Sequence, residues 1–158
     1  MARAEVLGIG WTSDAHHFTL PFQDTITRAI RQAIDDADLQ PDDIQCVNAH
    51  GTSTFKGDAT EVDCLREVFG RHLQNLAVSA NKSQLGHSLG AAAAIEAALG
   101  IEGMRQGILL PTANYIPDPE FTDIDVVPNV ARRFNHEIIL SNAFGFGGTN
   151  CCIVLKGV

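Results

Sequence analysis

The sequence predicts an α/β fold, a mixed sheet with helices packed on its faces, and three observations carry that prediction. Strand-like runs at residues 5–12, 44–48 and 76–78 alternate with helical apolar spacing that begins at Asp24 and at Gly57. Residues 91–104 are rich in alanine and glycine, with Ile95, Leu99, Ile101 and Met104 and few charges. A helix apolar around most of its circumference is read as a buried core helix, closely packed because its side chains are small. Near the carboxyl end, residues 136–142 and 151–156 read as antiparallel strands joined by a glycine-rich, aromatic loop.

The 158 residues suit one domain, 1–158, large enough to bury a real core. Apolar content of 45% with 19% charged residues is ordinary for a globular chain. A net charge of −8 argues against a general nucleic-acid or anionic-membrane surface. Arg132-Arg133 and the group Arg66, Arg71 and His72 are the local basic exceptions, read as solvated surface. Apolar runs are too short to span a membrane and the start does not read as a signal peptide, so a cytoplasmic location is expected. Cys46, Cys64, Cys151 and Cys152 have neither zinc-ribbon nor redox-pair spacing. They fall in strand-like and helical runs rather than in a glycine-rich turn before a helix, so none is expected to be catalytic.

In chain order, residues 5–12 form a strand that leads into a polar loop containing Asp14, His16 and His17. Adjacent side chains on extended backbone point apart, so the two histidines read as loop surface or pocket lining rather than as metal ligands. Asp24 is expected to cap a helix carrying Ile26, Ala29, Ile30, Ala33 and Ile34. The strand at 44–48 then delivers Asn48 to Thr54, N-A-H-G-T-S-T. A histidine at the carboxyl end of a strand, followed by glycine and three hydroxyls, stands where open α/β sheets place ligands. Taken alone, this stretch serves equally as a structural loop. Residues 57–70 form a helix with Val62, Leu65 and Phe69 inward. Residues 107–110 read as a short strand, and a proline-punctuated loop follows, with a brief strand at Val126-Val127.

The central stretch runs from Ser79 to Glu96, S-A-N-K-S-Q-L-G-H-S-L-G-A-A-A-A-I-E. Lys82 and His87 lie between strand and helix, with Gly86 allowing close approach and Ser88 a plausible cap. At the mouth of a helix, free N–H groups and the dipole disfavour imidazolium, so His87 is expected to be neutral and to donate a hydrogen bond. Glu96 is a carboxylate on a helix with almost no polar face. Buried charges persist when paired, and Lys82 is the cation nearest in sequence.

With N-A-H-G-T-S-T, N-K-S-Q-L-G-H-S-L-G-A-A-A-A-I-E and N-A-F-G-F-G-G-T-N in that order, the chain resembles the β-ketoacyl–acyl-carrier-protein synthases. These are the thiolase-fold condensing enzymes of fatty acid and polyketide synthesis. S-D-A-H-H-F-T and P-N-V-A-R-R extend the likeness over essentially the whole chain. The resemblance implies the carboxyl-terminal half of a thiolase-like fold, with a mixed five-stranded sheet, and a separate amino-terminal half bearing the acyl-accepting cysteine. It implies that His50 and His87 stabilise the enolate of a malonyl thioester, that Lys82 supports the His87 loop and pairs with Glu96, and that Phe146 gates the active cysteine. Thr52 and Thr54 would bind the pantetheine arm, with Phe144, Gly145 and Thr19 also lining the substrate path. Asn48, Glu96, Ser141 and Asn150 match positions that hold a monovalent cation in some members. The implied partners are an acyl carrier protein, the amino-terminal half, and a second copy in the full enzyme's homodimer; no cofactor is implied, because phosphopantetheine arrives on the carrier.

Phe55 stands where proline is usual in the family, and Ala93 where glycine is common. The larger departure is the absent nucleophile cysteine, so the isolated chain is expected to be inactive. Two rival readings remain. One is a non-catalytic partner half, like a chain-length factor, although shape alone does not need two donors. The other is an α/β-hydrolase, since residues 86–90 are literally G-x-S-x-G with Ser88 as nucleophile. That elbow needs a strand running directly into the serine, and residues 81–85 are polar without β-branched side chains.

Overall fold

Side chains alternate along strands, and here the alternation sorts two apolar sets onto opposite faces of one sheet. In the computed structural model, which describes residues 2–158, the chain forms β1 (Ala4–Ser13), α1 (Gln23–Asp36), β2 (Cys46–Asn48), α2 (Phe55–Phe69), β3 (Ala77–Ser79), α3 (Lys82–Leu85), α4 (Ala92–Gln106), β4 (Ile108–Leu109), β5 (Arg132–Arg133), β6 (Ile138–Gly145) and β7 (Thr149–Gly157). The main sheet has the order β1-β7-β6-β2-β3. Its β1–β7 and β7–β6 pairs are antiparallel, and β6–β2 and β2–β3 are parallel. This is the mixed five-stranded sheet that was expected, with β4 and β5 forming a separate ribbon.

Val47, Val78, Leu140, Cys152 and Val154 face α1 and α2, joining Ile26, Ile30, Val62, Leu65 and Phe69 in the larger core. Each such aliphatic side chain contributes about 1.5–3 kcal/mol when fully buried. Their strand neighbours Cys46, Ala77, Ile139 and Leu155 form a second core on the other face, against Ala97, Ile101 and Met104 of α4. At β1 the packing needs glycine: a Cβ on Gly10 would stand 1.8 Å from the Ala29 carbonyl oxygen of α1. The parallel strands β2 and β3 end side by side, Asn48 opposite Ser79, and that shared carboxyl end positions the candidate site.

Several expectations need correction. The residue at the N-cap of α1 is Phe22, and no side chain caps it; Asp24 lies in the first turn, where its charge still favours the dipole. Val126-Val127 is not a strand; Asp125 makes an isolated bridge to Ala77, and Arg132-Arg133 supplies the ribbon instead. In α4 only Ala92 and Glu96 are buried, while Ala93, Ala94, Ile95 and Ala98 are exposed. The helix is apolar all round, but this chain's sheet covers one side of it. Arg66 and Arg132 do lie at the surface as read, where Asp63 and Asp123 pair with the first and Asp125 with the second.

Candidate active site

His50 follows β2 by two residues and His87 follows β3 through the single turn of α3, so the ends of two adjacent parallel strands bring both rings together. Their centroids are 5.8 Å apart, edge to face. Each ring is oriented by a backbone donor: the Phe144 N–H points at His50 Nδ1 (3.3 Å), and the Leu89 N–H at His87 Nδ1 (3.1 Å). A nitrogen that accepts cannot carry the proton, so each neutral ring bears its hydrogen on Nε2. Burial, and then the charges of Lys82 and His87, push the His50 pKa down to about 3. His50 is therefore a neutral donor at physiological pH. His87 is more open than a helix-mouth position implied: it lies in the exposed loop between α3 and the turn Leu89–Ala91, five residues before α4.

Lys82 and Glu96 are paired as the burial argument required. The ammonium lies 2.8 Å from Oε1 and 3.0 Å from Oε2, with side chains 5% and 3% exposed. Gly86 has φ +75° with nothing near its Cβ position, so it ends α3 rather than allowing a close approach.

The other predicted positions divide. Phe144 packs on His50, with ring centroids 5.3 Å apart. Thr52 and Thr54 share a hydroxyl–hydroxyl hydrogen bond of 3.0 Å ahead of α2. Gly145 ends β6, and Phe146 stacks on Phe18 from the β1–α1 loop, which also holds Thr19. The four cation positions do not converge. Asn48 donates to Ser141 Oγ (3.0 Å), but Glu96 is held by Lys82. Asn150 pairs opposite Phe144 and Ser141 opposite Ile153, an odd offset along β6 and β7 that turns Asn150 to the other sheet face. There it binds Asp14. Among the described residues, no group of three or more histidine, cysteine, aspartate or glutamate side chains could hold a metal ion.

Two buried polar residues at the site were missed. Glu61, 4% exposed, accepts the N–H groups of His50 and Gly51 at 2.9 Å each and Asn142 Nδ2 at 3.0 Å. Burial raises its pKa, against those three donors. The available signal was its position beside Val62 and four residues before Leu65, on the inward face of α2. Asn81 donates to Asn48 Oδ1 (2.9 Å), extending a chain from Ser141 across β2 to β3. Only an asparagine one residue before Lys82 marked it.

Residues 3–116 match the family described as beta-ketoacyl synthase, C-terminal domain. The chain belongs to the β-ketoacyl synthase family. A 3-oxoacyl-[acyl-carrier-protein] synthase 2 from Coxiella burnetii is 40% identical over 157 residues, 98% of this chain and 38% of that protein. The crystal structure of a β-ketoacyl synthase from Burkholderia phymatum superposes with TM-score 0.92 at 39% identity, over 98% of this chain and 38% of that one. A complex of a type II polyketide synthase acyl-carrier protein with its ketosynthase, bound to the hexaketide, gives TM-score 0.92 at 32% identity, over 98% and 38%. The chain thus spans about two fifths of the length of the β-ketoacyl synthases it matches. As for a hydrolase, no strand runs into Ser88: β3 ends at Ser79 and α3 intervenes.

Proposed function

We propose that this chain supplies the enolate-stabilising half of a β-ketoacyl synthase site. His50 and His87 direct their Nε2–H groups at the carbonyl oxygen of a malonyl thioester carried by an acyl carrier protein. As carbon dioxide leaves, the electrons of the broken carbon–carbon bond pass to the α-carbon and that oxygen. The enolate then attacks an acyl thioester held on a cysteine outside this chain, expelling the thiolate. The single observation that carries the reading is the pair of backbone N–H groups accepted at both Nδ1 atoms, which leaves both Nε2–H groups as donors. A donor preorganised toward a developing oxyanion is typically worth about 3–4 kcal/mol.

The buried Lys82–Glu96 pair holds the ends of the His87 loop and keeps a cation near His50, which favours its neutral ring. Thr52, Thr54, Phe144, Gly145 and Thr19 line the approach of the pantetheine arm, and Phe146 gates the cysteine. None of the chain's four thiols suits the acyl-carrying role: burial pushes Cys46 and Cys64 up to about 12, Cys152 well above the usual range, and raises Cys151 as well. The isolated chain is accordingly inactive in condensation. Its partners are the cysteine-bearing half, an acyl carrier protein as in the polyketide complex above, and a second copy in the assembled enzyme.

The test joins this chain to a cysteine-bearing amino-terminal half and follows carbon dioxide release from malonyl-carrier protein. His50→Ala and His87→Ala are each expected to lower the rate about 10²–10³-fold. Wild-type rates in both would remove the assigned role and leave a pocket-shaping partner half as the better reading.

A further inference from the structure

One histidine outside the proposed pair accepts two backbone hydrogens at a single atom. His17 Nδ1 takes the N–H of Thr19 at 3.1 Å and of Leu20 at 3.0 Å, closing a tight turn that contains Phe18. Phe18 in turn makes two contacts with the tip of the β6–β7 hairpin. Its carbonyl accepts the Gly147 N–H at 2.8 Å, and its ring stacks on Phe146 with centroids 5.4 Å apart and planes 14° from parallel. Gly147 and Gly148 have φ of +77° and +79° and no side chain to anchor the tip. Phe146 itself is 65% exposed. The tip is thus held from the β1–α1 loop: by Phe18 at one end, and by the Asp14 N–H on the Gly148 carbonyl (2.8 Å) at the other.

We propose that His17 is a positioning residue for Phe146, its Nδ1 ordering the turn through which Phe18 holds the hairpin tip. The inference rests on the reading of Phe146 as the gate, and it makes the gate's resting position depend on one acceptor atom. Only neutral imidazole accepts at Nδ1; imidazolium carries a hydrogen there and would set it against two N–H groups. Acid therefore releases the turn, then Phe18, then the tip. The titratable groups around His17 are few. Asp14 and His16 share its loop, the first engaged by Thr25 and Asn150 and the second stacked on Phe22. Asp24 lies in the first turn of α1, and the tip, residues 145–148, brings none.

Amide exchange read by NMR on the full chain tests this. In the wild type, Thr19, Leu20 and Gly147 amides are protected at a pH where the ring nitrogen shifts show His17 neutral. At a pH where those shifts show it protonated, the three lose protection together by at least about fivefold, the factor that one ordinary hydrogen bond represents. His17→Asn, whose side-chain oxygen can replace Nδ1 as acceptor, keeps protection at both pH values, and His17→Ala lacks it at both. The wild-type pH series needs no variant to fold: if Gly147 protection does not follow that of Thr19 and Leu20, His17 caps only its own turn and the proposal fails. The gate reading is tested separately. A condensation rate indifferent to Phe146→Ala in the complemented enzyme would remove the gate, whereas the exchange pattern judges His17 alone.

Discussion

Replacing one member of the Lys82–Glu96 pair should cost more than replacing both. Glu96→Leu leaves an ammonium 5% exposed with no counter-charge, and Lys82→Met strands a carboxylate in the same way. Breaking a buried pair by removing one partner costs about 3–5 kcal/mol, whereas exchanging both for apolar residues of similar volume is neutral or stabilising by about 1–4 kcal/mol. With a urea slope of about 2 kcal/mol/M, either single variant should lower the unfolding midpoint by about 2 M, and the double variant should return to near the wild-type value. The assay is equilibrium urea unfolding of all four chains, closed as a double-mutant cycle. A second reading follows from the charges: the Lys82 ammonium helps hold the His50 pKa low, so the double variant should titrate His50 at higher pH than the wild type while being as stable. Additive losses in the double variant would refute the reasoning, because they would mean that the two charges are solvated separately rather than paired away from water.

The remaining predictions concern the imidazole and its support. Because the His50 pKa is lowered, its neutral form persists as pH falls; nitrogen NMR should find His50 protonated at Nε2 only and unchanged from pH 7 to about 5, and an ordinary titration near pH 6.5 would count against the buried, donor-held ring. Glu61→Ala orphans three donors that a carboxylate now satisfies. An unsatisfied buried donor costs about 1–3 kcal/mol, so the loss in urea unfolding should be several kcal/mol, less whatever is recovered by no longer burying the carboxylate. Glu61→Gln, which keeps an oxygen for some of these donors, should lose less; equal stability of the alanine variant and the wild type would show that the 48–51 turn stands without it.

The site was legible where chemistry is encoded locally. Glu96 advertised its burial because the helix around it offers no polar face, and the demand for a counter-charge led to Lys82 only fourteen positions away. The strand before His50 and the strand before Lys82 were readable as short apolar runs, which placed both loops at carboxyl ends. Asp24 misled because an acidic residue favours both the cap and the first turn, and composition does not separate the two. Glu61 was masked by a helix that reads as amphipathic with or without it. Its three donors come from the turn after β2 and from Asn142, eighty-one residues away.

Residue types and their spacing were enough to set the class of fold and the order of its main elements, since burial and periodicity act within a few turns of chain. His50 and His87, by contrast, were paired only by the resemblance to the β-ketoacyl synthases. Which nitrogen of each ring is free to donate, which face of the sheet Asn150 takes, and how much of α4 is left open are properties of contacts between distant segments. The register of β6 against β2 joins residues more than ninety positions apart, and no local pattern carries that offset. A single step in register exchanges the two faces of a strand, so these outcomes follow from the assembled sheet.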